Sequence, residues 1–266
     1  MPFTSKFPFF TRKQPRIAKS VIGHDDRQFA ENYEDKLWRP ICALYINYPG
    51  ETATRLGSGV LIAPRLILTA AHNLYDLERK KTIKDGEVKV GLSASGSQAS
   101  SQIADIRIPK AYTLQHPSKT RKYDYDYGLA LLKDDAVHDW AGHVWPLVDI
   151  NPMLSRALIA SNLTVAGYPA KSDAGYTALK WSFGPVMQDG VQNNTFAYKM
   201  DTSGGQSGAP VFQYNSRTGH AALAGIHVAG FPSQHNLANR FSAGVKQNLT
   251  KWAADLTRKS ARTPMV

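Results

Sequence analysis

An all-β fold, either a sandwich or barrels, is the reading that this chain of 266 residues supports, on three observations. Short runs of branched and aromatic residues recur along its length, turn formers separate most of them, and only the end of the chain carries a helical period.

Leu37 to Ile46 is the first such run. After the break at Gly50 come Leu56 to Ile62, the turn Ala63-Pro64-Arg65, and Leu66 to Thr69, a strand, turn, strand pattern. Further strands are expected at Val88 to Val90, Ile103 to Ile108, Gly128 to Leu132, Leu163 to Ala166, Ala209 to Tyr214 and Ala222 to Val228. The Ser- and Gly-rich segment between Leu92 and Ser101 reads as a loop, and Pro117 to Tyr123 as a second exposed stretch. Val245, Leu249, Trp252 and Leu256 fall at i, i+4, i+7 and i+11, so a helix packed on the body is expected there, with Ser242 as its cap.

Hydrophobic residues at 42% and charged residues at 20% describe a folded globular chain. No run approaches the roughly 18 apolar residues of a membrane-spanning helix. The formal charge of +11 is compatible with nucleic acid, an acidic membrane surface or an acidic substrate, and does not choose among them. Part of it sits in basic ends, Lys6 to Lys19 and Lys251 to Arg262, which read as solvated tails. The single cysteine, Cys42, excludes an intramolecular disulfide and lies in an apolar stretch, as a buried small hydrophobe would. His24, His116, His138, His143, His220 and His235 show no paired metal-ligand spacing, so no zinc site is inferred. Met1 to Ser20 is basic and holds four phenylalanines but lacks the apolar core, roughly 7 to 15 residues long, of a secretory signal.

Peptide hydrolysis needs a nucleophile, a base, a group that orients the base, and donors for the oxyanion. Gly204-Gly205-Gln206-Ser207-Gly208 flanks a serine with glycines, as a turn that points backbone N–H groups into a cavity would require. Leu68-Thr69-Ala70-Ala71-His72 places a histidine at the end of an apolar strand. Tyr123 to Leu132 puts carboxylates at the start of another. Asp124 and Asp126 are two apart and would share one side of a strand, so spacing does not separate them.

The order His, Asp, Ser, with Thr-Ala-Ala-His, an Asp before an apolar strand and Gly-x-Ser-Gly-x-Pro, resembles the chymotrypsin-like serine peptidases. Ser20 to Arg27, Tyr125-Asp126-Tyr127-Gly128, Asp201 to Phe212 and Gly225-Ile226-His227 resemble more narrowly the bacterial glutamyl endopeptidases. That resemblance implies two antiparallel six-stranded β-barrels, roughly 37–132 and 158–241, followed by a helix over 243–258. It implies a triad of His72, Asp126 and Ser207, with Asp126 preferred to Asp124, and an oxyanion hole from the backbone N–H groups of Gly205 and Ser207. It further implies a propeptide over 1–20, a peptidase domain over 21–266, and a mature start at Ser20 or Val21. The freed amine would join Thr202 and His227 in holding the acidic side chain of the residue before the cut (P1). Gln206 departs from the aspartate of animal trypsins, which puts their mode of activation in doubt.

The implied partners are protein or peptide substrates with acidic residues, without nucleic acid, cofactor or metal; the implied state is a monomer, secreted by the resemblance, with non-standard export or a cytoplasmic place as the alternative because no secretory signal is recognisable. Two alternatives stand beside this: a peptidase of the same fold preferring a small or neutral P1 residue, and a non-catalytic module binding through its basic surface.

Overall fold

The computed structural model describes residues 19–150, 152–170 and 177–262. Residues 1–18, most of the expected propeptide, lie outside the described residues. The first barrel consists of β1 (Ile41–Asn47), β2 (Arg55–Ala63), β3 (Leu66–Thr69), β4 (Asp85–Val90), β5 (Ala99–Arg107) and β6 (Gly128–Leu132). Its order is β6-β3-β2-β1-β4-β5, closed by pairing of β5 with β6. The second contains β7 (Asn162–Gly167), β8 (Lys180–Val191), β9 (Thr195–Tyr198), β10 (Pro210–Asn215), β11 (His220–Phe231) and β12 (His235–Arg240). Its order is β7-β10-β11-β12-β9-β8, closed by β7 against β8, and Gln28–Phe29 adds to the free edge of β8. The two closed six-stranded antiparallel barrels are those the family resemblance implied.

Alternation explains why the first barrel's strands read as unbroken apolar runs. Cys42, Leu44 and Ile46 enter the barrel interior with Ile67, Ala130 and Leu132. Their neighbours Ile41, Ala43, Leu66, Leu68 and Leu129 join a cluster shared with Phe212, Leu223 and Ile226 of the second barrel. Both faces are therefore dry, and the period of two is hidden. The terminal helix, α1 (Ala243–Arg262), runs one turn past the expected end. Ser242 Oγ accepts the Val245 N–H at 3.3 Å, as a cap does, and Val245, Leu249 and Leu256 are buried. Each such leucine contributes about 1.5–3 kcal/mol of burial.

Strands β8, β9 and β12 were not visible as runs. Gly184, Pro185 and Gly190 interrupt β8, and β12 is polar, with Asn236 and Asn239 wholly buried on it. The Ser- and Gly-rich segment leaves its loop earlier than expected, because β5 begins at Ala99 and is held in register by β4. The exposed stretch ending at Tyr123 runs into a 3-10 helix over Thr120–Tyr125.

Candidate active site

His72 sits just past β3, on a single 3-10 turn over Ala71–Asn73. Asp126 ends the 3-10 helix Thr120–Tyr125 and immediately precedes Tyr127 and β6. Asp124 and Asp126 thus do not lie on a strand, and the expectation that they share one side of it is corrected. The 3-10 turn rotates them apart. Pairing of Gly128 with Thr69 brings His72 and Asp126 to the same end of the barrel. There His72 Nδ1 lies 2.7 Å from Asp126 Oδ2, and Asp126 Oδ1 accepts the His72 backbone N–H at 2.9 Å. Asp126 is 1% exposed, whereas the imidazole is about a third exposed, so the acid is dry and the ring reaches solvent. Asp124 lies 3.9 Å from Arg121, and burial pushes its carboxyl up against the opposing pull of that guanidinium. Asn239 of the second barrel donates to the carbonyls of Tyr123 at 2.8 Å and Asp124 at 3.1 Å, which fixes the approach to Asp126.

Ser207 comes from the other barrel, on the loop before β10. Gly205 and Gly208 on either side have φ of +98° and +85°. A Cβ on Gly208 would stand 2.2 Å from the Ser58 carbonyl, and one on Gly205 2.4 Å from the Ala170 nitrogen, so the loop admits only glycine at both. The Ser207 carbonyl accepts from Ser58 N–H at 2.7 Å and from Asn73 Nδ2 at 2.8 Å, and Asn73 is the neighbour of His72. Ser58 Oγ donates to the Gly205 carbonyl and accepts from the Tyr168 N–H, both at 2.8 Å. These bonds dock the serine loop against the histidine turn. Among the described residues the N–H groups of Gly205 and Ser207 donate no hydrogen bond. Ser58 and Asn73 were missed in the sequence. The signal was Gly57-Ser58-Gly59, glycines inside a strand where another backbone comes close.

His227 and Thr202 are both buried. His227 Nδ1 is 2.7 Å from the hydroxyl of Tyr198, itself buried and held protonated by that burial. Burial, with His72 nearby adding to it and a backbone interaction with Leu237 opposing it, pushes the imidazole down to about 3. Thr202 Oγ1 gives its one proton to Asn236 Oδ1 at 2.9 Å, and Asn236 Nδ2 donates to the Met200 carbonyl at 2.8 Å, which fixes the amide's orientation. Lys19–Ser20 forms a short antiparallel pair with Thr202–Ser203, Ser20 opposite Thr202, and also lies against β11, the strand of His227. Val21, half-buried, follows directly.

The His227 value gives a stability prediction with a definite sign. Its folded value lies below the ordinary 6.5, so as pH falls from about 6.5 towards 3 the unfolded chain takes up a proton that the folded chain refuses. This group costs nothing above that window and its full amount below it. Thermal melts across the window are expected to show wild type losing more stability than His227→Gln; parallel losses would show that the ring is not held neutral.

Beside His72 and Asp126 opens a cavity of about 330 Å³, lined also by Arg55, Lys122, Tyr123 and Val228. Two antiparallel barrels, one carrying a His–Asp pair and the other a glycine-bounded serine docked beside it, define the architecture of the trypsin-like serine peptidases. The Trypsin-like peptidase domain matches residues 57–221, and the chain belongs to that family. It is a serine peptidase, a hydrolase of protein substrates. A glutamyl endopeptidase of Bacillus licheniformis is 29% identical over 90% of this chain and 71% of that one. A Bacillus subtilis protein named extracellular metalloprotease is 27% identical over 88% of this chain and 70% of that one. A solved structure of a Glu endopeptidase in complex with MPD shares the fold, with a TM-score of 0.72 at 23% identity over 88% of this chain and 99% of that one. Among the described residues no three His, Cys, Asp or Glu side chains are grouped to hold a metal, and no helix is long and apolar enough to cross a membrane.

Proposed function

We propose that the chain is a serine endopeptidase that cuts after glutamate, with Ser207 as nucleophile, His72 as base and Asp126 as the group that orients it. The observation that carries this reading is the hydrogen-bonded pair of His72 and the buried Asp126, tied through Asn73 to the Ser207 loop. Asp126 accepts the Nδ1 proton, which leaves the Nε2 lone pair to take the Ser207 proton as Oγ attacks the scissile carbonyl. The N–H groups of Gly205 and Ser207 receive the oxyanion. The imidazolium then protonates the leaving amine, and water, deprotonated by the same ring, releases the acyl group.

The glutamate preference rests on His227. A carboxylate entering a narrow cleft loses its water, and fixed donors must replace it. In this reading the Tyr198 hydroxyl donates to Nδ1, 2.7 Å away, and the neutral ring carries its single proton on Nε2, where it serves as a donor for that carboxylate. Thr202 becomes a second donor only when the substrate draws its proton from Asn236. A chain cut before Ser20 or Val21 would add an ammonium close to Thr202, given the register of Ser20; uncut, Lys19 and Ser20 run along the same rim. An anion bound there favours the protonated ring and raises its proton affinity above that of the empty pocket.

One peptide series, varied only at P1, tests specificity and processing together. The chain beginning at Ser20 is expected to prefer glutamate, with aspartate lower by a factor of about ten to a hundred because it is one methylene shorter. His227→Ala should lose that preference, and the chain with Met1 intact should be weakly active. Preference of the wild type for a small, basic or aromatic P1 residue, or for glutamate undiminished in His227→Ala, would overturn the pocket. Equal rates for the cut and uncut chains would overturn the propeptide.

A further inference from the structure

Outside the triad and the pocket lies a partly buried polar cluster that catalysis has not yet used. Arg27, with its side chain 8% exposed, directs Nε and Nη2 at the Asp25 carboxylate, at 2.8 and 2.6 Å. Its Nη1 donates to Ser203 Oγ and, at 3.2 Å, to Gln206 Oε1. Gln206 is wholly buried; its Oε1 also accepts the Ser203 N–H at 3.0 Å, and its Nε2 donates to the Lys180 carbonyl at 3.4 Å. The segment that bears Arg27 is fastened in turn. Asp201 accepts the N–H groups of Ile22 at 2.7 Å and Asp26 at 3.0 Å.

Gln206 stands between Gly205 and Ser207, the residues whose N–H groups have no acceptor among the described residues. Its Cα joins the peptide unit that carries the Ser207 N–H to the unit shared with Gly205, so bonds that anchor its side chain to Arg27, Ser203 and Lys180 restrain the backbone torsions on which the aim of those N–H groups depends. We propose that Arg27 is a positioning residue for the oxyanion hole: it clamps Gln206 so that the amides of Gly205 and Ser207 converge. This rests on the assignment of Ser207 as nucleophile. An amide beside the nucleophile would have no charge partner of its own, and Arg27 supplies a fixed donor from within the chain. The clamp does not depend on a new terminus. Cleavage before Ser20 or Val21 would then complete the acidic pocket with its ammonium, while the oxyanion loop is already set in the uncut chain.

The test uses the chain beginning at Ser20 with Arg27→Gln and Arg27→Lys. The readouts are kcat and KM on the glutamate peptide, affinity for a peptide aldehyde ending in glutamate, and affinity for the product acid of the same sequence. The aldehyde forms a tetrahedral adduct and reads the oxyanion hole; the product acid reads the pocket alone. Misplacement of reacting groups by about 1 Å costs on the order of 100-fold, so Arg27→Gln is expected to lower kcat and aldehyde affinity by about 10- to 100-fold. KM and product affinity should stay near wild type. Arg27→Lys, or millimolar guanidinium added to Arg27→Gly, should restore part of the loss. Should Arg27→Gln not fold, Gln206→Leu, which keeps the Arg27–Asp25 pair, must give the same split. Unchanged kcat, or loss of kcat, product affinity and thermal stability in step, would overturn the clamp. Its failure is distinguishable from failure of the nucleophile assignment, because Ser207→Ala would still be inactive. In the uncut chain a small fluorophosphonate should phosphonylate Ser207, with loss of fluoride, as fast as in the cut chain, since it needs the hole and not the pocket; a much slower rate would show that the hole waits for cleavage.

Discussion

Ser207→Ala is expected to lower turnover by about 10⁴ to 10⁶ while the protein stays folded, the range seen when a member of such a triad is removed. The fold should survive because Ser207 is held through its main chain: its carbonyl takes the bonds from Ser58 and Asn73, and none of them uses the hydroxyl. The measurement is kcat on the glutamate peptide with melting temperature alongside, and labelling by a fluorophosphonate probe as a second readout. Wild type should label at Ser207 and the variant should not. A variant keeping more than about a tenth of the wild-type rate would falsify the assignment, given the expected range. A wild type that neither labels nor cleaves would favour a binding module using the basic surface.

Asp126→Asn is expected to cost about 10⁴ in kcat with little change in fold, and Asp124→Asn to be mild. An amide at 126 can offer its N–H₂ to His72 Nδ1, which places the ring's proton on Nε2 and removes the base. The backbone N–H of His72 would still find an oxygen at that side chain, so the geometry is preserved while the tautomer is lost. Asp124 has its nearest charge partner in Arg121, at 3.9 Å, and the contact that matters at that residue is its carbonyl to Asn239, which an asparagine keeps. The reverse order of effects would mean that the wrong carboxylate has been chosen.

The strands of the first barrel were legible because both of their faces are dry, so Leu66 to Thr69 and Gly128 to Leu132 stand out as unbroken apolar runs with the observed bounds. The second barrel was harder. Its β12 reads His-Asn-Leu-Ala-Asn-Arg, and nothing local marks it as a strand. Asn236 and Asn239 are buried there because Met200, Thr202, Tyr123 and Asp124, all distant in sequence, supply their partners. The same limit hid Ser58, Asn73 and Tyr198, whose side chains act only on residues brought to them by the fold.

What the sequence determined by itself was the all-β class, the terminal helix with its Ser242 cap, and a short set of chemistry-bearing residues; family likeness narrowed these to His72, Asp126, Ser207, Thr202 and His227. Glycine made part of this legible, since the positive φ at Gly205 and Gly208 and the absence of room for a Cβ are local demands written into local sequence. Only the tertiary structure showed how Asp126, and not Asp124, turns to His72, that Thr202 has already spent its proton on Asn236, that His227 is buried beside Tyr198 with its proton affinity lowered, and that Arg27 reaches Gln206. The reason is physical. Backbone conformation is chosen by neighbours along the chain, whereas the desolvation of a side chain and the partner that offsets it are set by whatever closure of the two barrels brings within about 3 Å, the reach of a hydrogen bond.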